Sequence, residues 1–305
     1  MKNIVYKVAE DFDIKKNYKL FRLFQKVVNP TLNKKKKFQD IKINLDDRKV
    51  PVRIFNPFND GKKHKVIIFI HGGGWIAGSV DTYTNICYDM AKRTNRVVIS
   101  IEYRLAPENP FPAGFNDCYD VINFIYKNIL SMDIEKKDIA IIGDSAGGNL
   151  SAAVCQRARD EKSFKVSKQI LLYPALQTDY SENSKYKSVV EKGSNYIITR
   201  VQLCDFINHY IINPNDLSNP YIAPLESKHL FGLPKTLIIV AENDPLRDEG
   251  IAYYKKLKSH FVKSKYYVFM GANHGFLTNI LDKKYTNLAY EKIIKFLGDE
   301  YEKKN

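Results

Sequence analysis

The segment Gly143-Asp144-Ser145-Ala146-Gly147-Gly148-Asn149-Leu150 follows directly on the apolar run Ile139 to Ile142. It reads G-x-S-x-G in the context that pattern requires, a strand, a sharp turn and a helix, where a serine hydroxyl is held out at the tip of the turn. The backbone on either side of such a turn comes close together. A Cβ at 143 or 147 would collide with the neighbouring strand or helix, which is the steric reason for glycine at both. At neutral pH a serine hydroxyl is a poor nucleophile. It becomes useful only with a base to take its proton and donors to hold an oxyanion. Read alone, the same residues also describe a Gly-rich turn in which Ser145 merely caps a helix.

Two other segments supply what the serine lacks. The apolar run Lys65 to Ile70 leads into His71-Gly72-Gly73-Gly74-Trp75. Consecutive glycines leave main-chain N–H groups free of side chains, so that they can face developing negative charge. The donors expected here are the N–H groups of Gly73, Gly74 and Ala146, with His71 organising the loop, not acting as base. A phosphate-binding reading fails because no G-x-x-x-x-G-K-[ST] pattern follows. Further on, Asp244 follows the run Thr236 to Val240, and His274 follows Tyr266 to Phe269. The order serine, aspartate, histidine is that of the α/β-hydrolases. His274 is the expected base and Asp244 the group that orients it. Glu242 and Asp248 are rivals for the acid. Asp244 is preferred because Pro245 fixes the turn that aims it. His64, His209, His229 and His260 lack such a context and read as surface or packing residues.

These residues need a scaffold that brings strand ends to one edge. Short β-branched runs at Lys65 to Ile70, Val97 to Ile101, Ile139 to Ile142, Gln169 to Tyr173, Thr236 to Val240 and Tyr266 to Phe269 read as strands. Helical periodicity fills Tyr83 to Arg93, Phe115 to Ile129, Gly148 to Arg159 and Gly250 to Ser259. Such alternation predicts an α/β fold, a mainly parallel eight-stranded sheet with helices on both faces. Upstream, Phe38 to Leu45 and Val50 to Phe55 predict an antiparallel edge hairpin turning at Asp46 and Asp47. Residues 1–37 look helical and basic, and 178–220 form a polar, tyrosine-rich insertion. Both are expected to cap the core formed by 38–177 and 221–305, because an insertion there lies beside the usual ligand crevice.

The 305 residues carry a formal charge of +14, and 44% of them are hydrophobic, which excludes a disordered chain. The lysines are spread along the chain. The densest cluster, Lys34 to Lys37, lacks interleaved aromatics, so the charge reads as solvated surface and no nucleic-acid partner is expected. No apolar run is long enough to span a membrane and no secretory stretch opens the chain, so a cytoplasmic location is expected. Cys87, Cys118, Cys155 and Cys204 show neither a CxxC pair nor metal-ligand spacing and are expected to be reduced and buried.

Together, HGGGW at 71–75, Tyr103-Arg104-Leu105-Ala106-Pro107-Glu108, GDSAGGNL at 143–150, Asp244-Pro245-Leu246-Arg247-Asp248 and His274-Gly275-Phe276 resemble the hormone-sensitive-lipase-like branch of the α/β-hydrolases, the GDxG or family IV esterases. The likeness runs over roughly residues 40–300. It implies an α/β-hydrolase fold with a helical cap and a carboxylesterase taking short to medium acyl chains, with no metal or organic cofactor. Its site would be Ser145, Asp244 and His274, the donors Gly73, Gly74 and Ala146, and the supporting His71, Gly72 and Asp144. Asn219 to Leu225 is similar to the family segment that returns from cap to sheet, with Ala223 where serine is frequent.

The same triad could cleave an amide or formamide. A pocket that only holds a ligand is a second alternative, against which the presence of His274 argues. Nucleic-acid binding through the basic surface is a third. A homodimer is compatible with the sequence, which does not fix the oligomeric state.

Overall fold

The structure is a computed structural model and describes residues 14–28, 38–58, 63–128, 134–194, 197–279 and 283–298. Eight strands, β1 (Gln39–Asn44), β2 (Lys49–Phe55), β3 (His64–Ile70), β4 (Val97–Ile101), β5 (Ile134–Asp144), β6 (Lys168–Leu172), β7 (Lys235–Asn243) and β8 (Ser264–Asn273), form one sheet. Their order is β1-β2-β4-β3-β5-β6-β7-β8. The first hairpin is antiparallel and pairs antiparallel with β4, and every pairing from β4 to β8 is parallel. The hairpin turns at Asp46 and Asp47 as expected, closed by the Leu45 N–H donating to the Arg48 carbonyl at 2.8 Å.

The continuous apolar runs of the central strands follow from burial on both faces. In β3, Val66, Ile68 and Ile70 enter one core layer while Ile67 and Phe69 enter the other. The first layer is covered by α3 (Ala113–Asn128), α4 (Ala146–Asp160) and α7 (Arg247–Ser259), which contribute Ile122, Leu150 and Leu257. The second is covered by α2 (Thr84–Thr94) and α8 (Lys284–Gly298), through Met90 and Ile293. The sheet reading and all four helical stretches are therefore found, apart from Ile129, which lies outside the described residues.

Three differences have simple causes. Strands β5 and β8 run beyond their apolar runs, because ladder hydrogen bonds need no apolar side chain and the edge strand β8 is partly exposed. Helix α8 was not anticipated, although Ala289, Tyr290, Ile293, Phe296 and Leu297 repeat at helical spacing. Of the N-terminal stretch read as helical, α1 (Ile14–Val28) is a helix with a kink at Asn17, while 1–13 and 29–37, with Lys34 to Lys37, lie outside the described residues.

The insertion over 178–220 holds α5 (Lys187–Glu191), α6 (Arg200–Tyr210) and a 3₁₀ turn at Pro214–Ser218. Helix α6 starts with a capping box in which the Thr199 hydroxyl accepts the Gln202 N–H and the Gln202 side chain accepts the Thr199 N–H. It packs against α1, where Phe206 meets Phe21 with ring centroids 5.9 Å apart.

Candidate active site

Strand β5 ends at Asp144 and α4 begins at Ala146, so Ser145 makes the whole turn between them. Its backbone is strained, with φ 52° and ψ −119°. The surroundings hold it there: the Ser145 N–H donates to the Leu172 carbonyl of β6 at 2.8 Å, and its carbonyl accepts from Asn149 at 3.1 Å. A Cβ on Gly143 would lie 2.1 Å from the Gly147 carbonyl oxygen, and one on Gly147 would lie 2.0 Å from the oxygen of Ile70. The steric reading of both glycines therefore holds.

Strands β7 and β8 are adjacent, and Asn243 is the register partner of Asn273. The next residue of each strand is the candidate acid or base. Asp244 and His274 thus leave neighbouring strand ends side by side, although thirty positions separate them in the chain. Asp244 Oδ2 lies 2.8 Å from His274 Nδ1, and His274 Nε2 lies 3.0 Å from Ser145 Oγ. Asp244 is fully buried, and its Oδ1 accepts the Leu246 N–H at 2.9 Å, which fixes the carboxylate through the turn at Pro245. The ring of Tyr173 meets the imidazole edge-on at 4.8 Å.

The two rival acids point elsewhere. Glu242 Oε2 accepts the Gly271 N–H at 2.6 Å. Asp248 sits in the first turn of α7, where it accepts from Ser188 N–H at 2.8 Å and pairs with Arg247 at 2.8 Å.

The glycine loop follows β3. Gly73 and Gly74 have φ of 119° and 61°, and the Gly73 carbonyl accepts from Ile76 and Ala77 at 3.2 and 2.9 Å. Among the described residues no hydrogen bond occupies the N–H groups of Gly73, Gly74 or Ala146. His71 is fully buried, stacks on Tyr103 at 4.3 Å and places Nδ1 2.9 Å from the Gly72 carbonyl. Burial pushes its imidazole down to about 4, so it stays neutral at neutral pH.

Asp144 Oδ1 accepts the Gly72 N–H at 2.9 Å, while Oδ2 accepts from the hydroxyls of Tyr83 and Tyr173 at 2.9 and 3.2 Å. Burial raises this carboxyl to about 6, outweighing the three donors that favour its charged form. Neither tyrosine carries a sequence signal, since each lies in a run with no motif. Glu249 was also missed. It is fully buried, its Oε1 accepts from the Leu176 N–H at 2.6 Å and the Tyr180 hydroxyl at 3.2 Å, and burial pushes it well above the usual carboxylate range. Among the described residues no group of three or more His, Cys, Asp or Glu side chains is placed to hold a metal ion.

A hydroxyl beside an imidazole that is itself held by a buried carboxylate can lose its proton as it attacks a carbonyl. The model of the alpha/beta hydrolase fold family matches residues 67–278 of this chain. The chain belongs to that family. Among α/β-hydrolases of known activity it is similar to an arylesterase of Saccharolobus solfataricus, 37% identical over 240 residues that make up 78% of this chain and 76% of the relative. The carboxylic ester hydrolase LipN of Mycobacterium tuberculosis is 35% identical over 234 residues, 75% of this chain and 61% of that protein. The solved structure of a hyperthermophilic esterase from Pyrobaculum calidifontis superposes on this α/β-hydrolase with a TM-score of 0.88 at 31% identity, covering 98% of this chain and 97% of the other. No helix among the described residues is long and apolar enough to cross a membrane.

Proposed function

We propose that this α/β-hydrolase is a serine carboxylesterase in which Ser145 is the nucleophile, His274 the base and Asp244 the orienting acid. The observation that carries the reading is the continuous chain from Ser145 Oγ to His274 Nε2 at 3.0 Å and from His274 Nδ1 to Asp244 Oδ2 at 2.8 Å.

In this mechanism His274 takes the Ser145 proton as Oγ bonds to the ester carbonyl carbon. The oxyanion is held by the N–H groups of Gly73, Gly74 and Ala146. His274 then gives the proton to the leaving alcohol, and an acyl-enzyme remains. Water attacks it by the same route in reverse, releasing the acid. Asp244 holds the imidazole tautomer and stabilises its charged form. His71, Gly72 and Asp144 support the glycine loop.

The substrates are small esters with short to medium acyl chains, with no metal or organic cofactor and no nucleic acid. Residues 1–37 and 178–220 form the cap over the catalytic core at 38–177 and 221–305. Phe206 of α6 supports the cap reading, since its ring would lie 2.6 Å from a Cβ on Gly74 and so stands directly over the glycine loop. The chain works in the cytoplasm, and a homodimer is compatible with this reading.

The test is a series of p-nitrophenyl esters from acetate to long acyl chains, with the matching anilides alongside, run on the wild type and on Ser145→Ala. Esters should be turned over faster than anilides and short chains faster than long ones. Ser145→Ala should lose about 10⁴-fold or more in kcat. Wild-type turnover in that variant would overturn the mechanism, and preference for anilides would make the protein an amidase.

A further inference from the structure

Helix α1 has two faces of opposite character. Inward, Ile14 is buried and Arg22 donates to the carbonyls of Ile76 at 2.5 Å and Ala106 at 2.8 Å and to Glu108 at 2.7 Å. That face is anchored to the loop after Gly74. Outward, Leu20, Leu23 and Val27 fall at i, i+3 and i+7, on one side of the helix, and remain 53%, 57% and 69% exposed. Such an aliphatic stripe is unfavourable in water unless something covers it.

The residues around the stripe say what covers it. Beyond the kink at Asn17, Lys19 precedes Leu23 by one helical turn, and Lys26 follows it by another. The helix contains no aspartate or glutamate, and its single arginine is turned inward onto Glu108. A second copy of the chain docked face to face would bring lysines against lysines. A nucleic acid would engage the lysines and leave the aliphatic side chains wet. An anionic bilayer satisfies both, because the acyl boundary takes the aliphatic stripe while phosphate groups meet the ammonium groups. We propose that the outer face of α1 docks on an anionic phospholipid surface, with Leu20, Leu23 and Val27 inserted and Lys19 and Lys26 at the phosphates.

Through Arg22 the docked helix is tied to Ile76, two residues beyond the glycine loop, so a docked chain holds its candidate site close to the lipid. The docking goes beyond the ester-hydrolase reading and does not depend on it.

The experiment is co-sedimentation of the full chain with vesicles of phosphatidylcholine alone or of phosphatidylcholine and phosphatidylglycerol in equal parts. The wild type should partition onto the anionic vesicles at least about tenfold better than onto the zwitterionic ones. Leu23→Asp should lower that partition about tenfold, and Lys19→Glu at least about fivefold. Leu20→Ser, a milder change on the same stripe, should act in the same direction if Leu23→Asp does not fold. Turnover of a soluble p-nitrophenyl ester should stay at the wild-type level in every variant. Wild type left in the supernatant with anionic vesicles, or Leu23→Asp and Leu20→Ser both binding like wild type, overturns the proposal. So does a dimer in sedimentation velocity that Leu23→Asp dissociates, since the stripe then belongs to a second copy. A chain that binds vesicles but turns over no ester overturns the hydrolase reading and leaves the docking standing.

Discussion

Asp144 Oδ1 accepts the N–H of Gly72 at 2.9 Å, which joins the turn carrying Ser145 to the glycine loop after β3. The two segments that face one carbonyl in the proposed mechanism are thus held together by one buried carboxylate. Its position explains why an acid stands directly before the serine.

Burial lifts this carboxyl to about 6, so in the folded chain it binds its proton at higher pH than an unfolded aspartate does. Its contribution to stability is greatest below about pH 4 and is lost as pH rises through about 6, a swing of about 3 kcal/mol. Urea unfolding of wild type and Asp144→Asn across this window should show the wild type losing ground relative to the variant as pH rises. A difference that stays flat would mean that Asp144 does not titrate there.

Asp244→Asn should keep the fold, because an amide fills the same buried space. It should lower kcat by about 10⁴-fold with little change in KM, since an amide can impose the wrong imidazole tautomer on His274. Steady-state kinetics beside a circular dichroism spectrum decide this. A loss of tenfold or less would remove Asp244 from the role given to it.

Gly147→Ala and Gly275→Ala should differ in cost. The added carbon at 147 meets backbone oxygens of Ile70 and His71 at 2.0 and 2.6 Å, whereas at 275 the nearest atom is Thr278 Oγ1 at 3.7 Å. The first should destabilise by about 3 kcal/mol. The second should show only the strain of a φ of 75°, about 1 kcal/mol. Equal shifts in the urea midpoint would contradict the steric account of the turn.

Arg22→Ala removes the side chain that holds α1 to Ile76, Ala106 and Glu108. Amide hydrogen exchange in α1 should accelerate about tenfold or more while β3 to β6 keep wild-type protection. Uniform acceleration would mean that α1 opens only with the whole molecule.

Cys87, Cys118 and Cys155 are buried, with thiols pushed up by desolvation, while Cys204 is half-buried. A thiol reagent should therefore find one slowly reacting group in the native chain and four after denaturation. Rapid modification of more than one native thiol would refute the packing of α2, α3 and α4.

Much of this arrangement is legible in the chain itself. The double apolar layers of β3 to β7 require long β-branched runs, and the glycines at 143 and 147 are demanded by contacts that any such turn makes. Helix α8 repeats its apolar residues at the right spacing and could have been read. Tyr83, Tyr173, Glu249 and the Arg22 to Glu108 pair could not, because each matters through a partner far away in sequence and carries no local pattern.

By itself the sequence determined the alternation of strand and helix, the strained turn at Ser145 and the bare amides at 73 and 74, all consequences of side-chain periodicity and local sterics. Pro245 favours Asp244 over Glu242 and Asp248 within one short segment, but only the tertiary structure sets that carboxylate against His274. The contact rests on Asn243 pairing with Asn273 across β7 and β8. Register between strands comes from packing the whole sheet, and no single segment contains it.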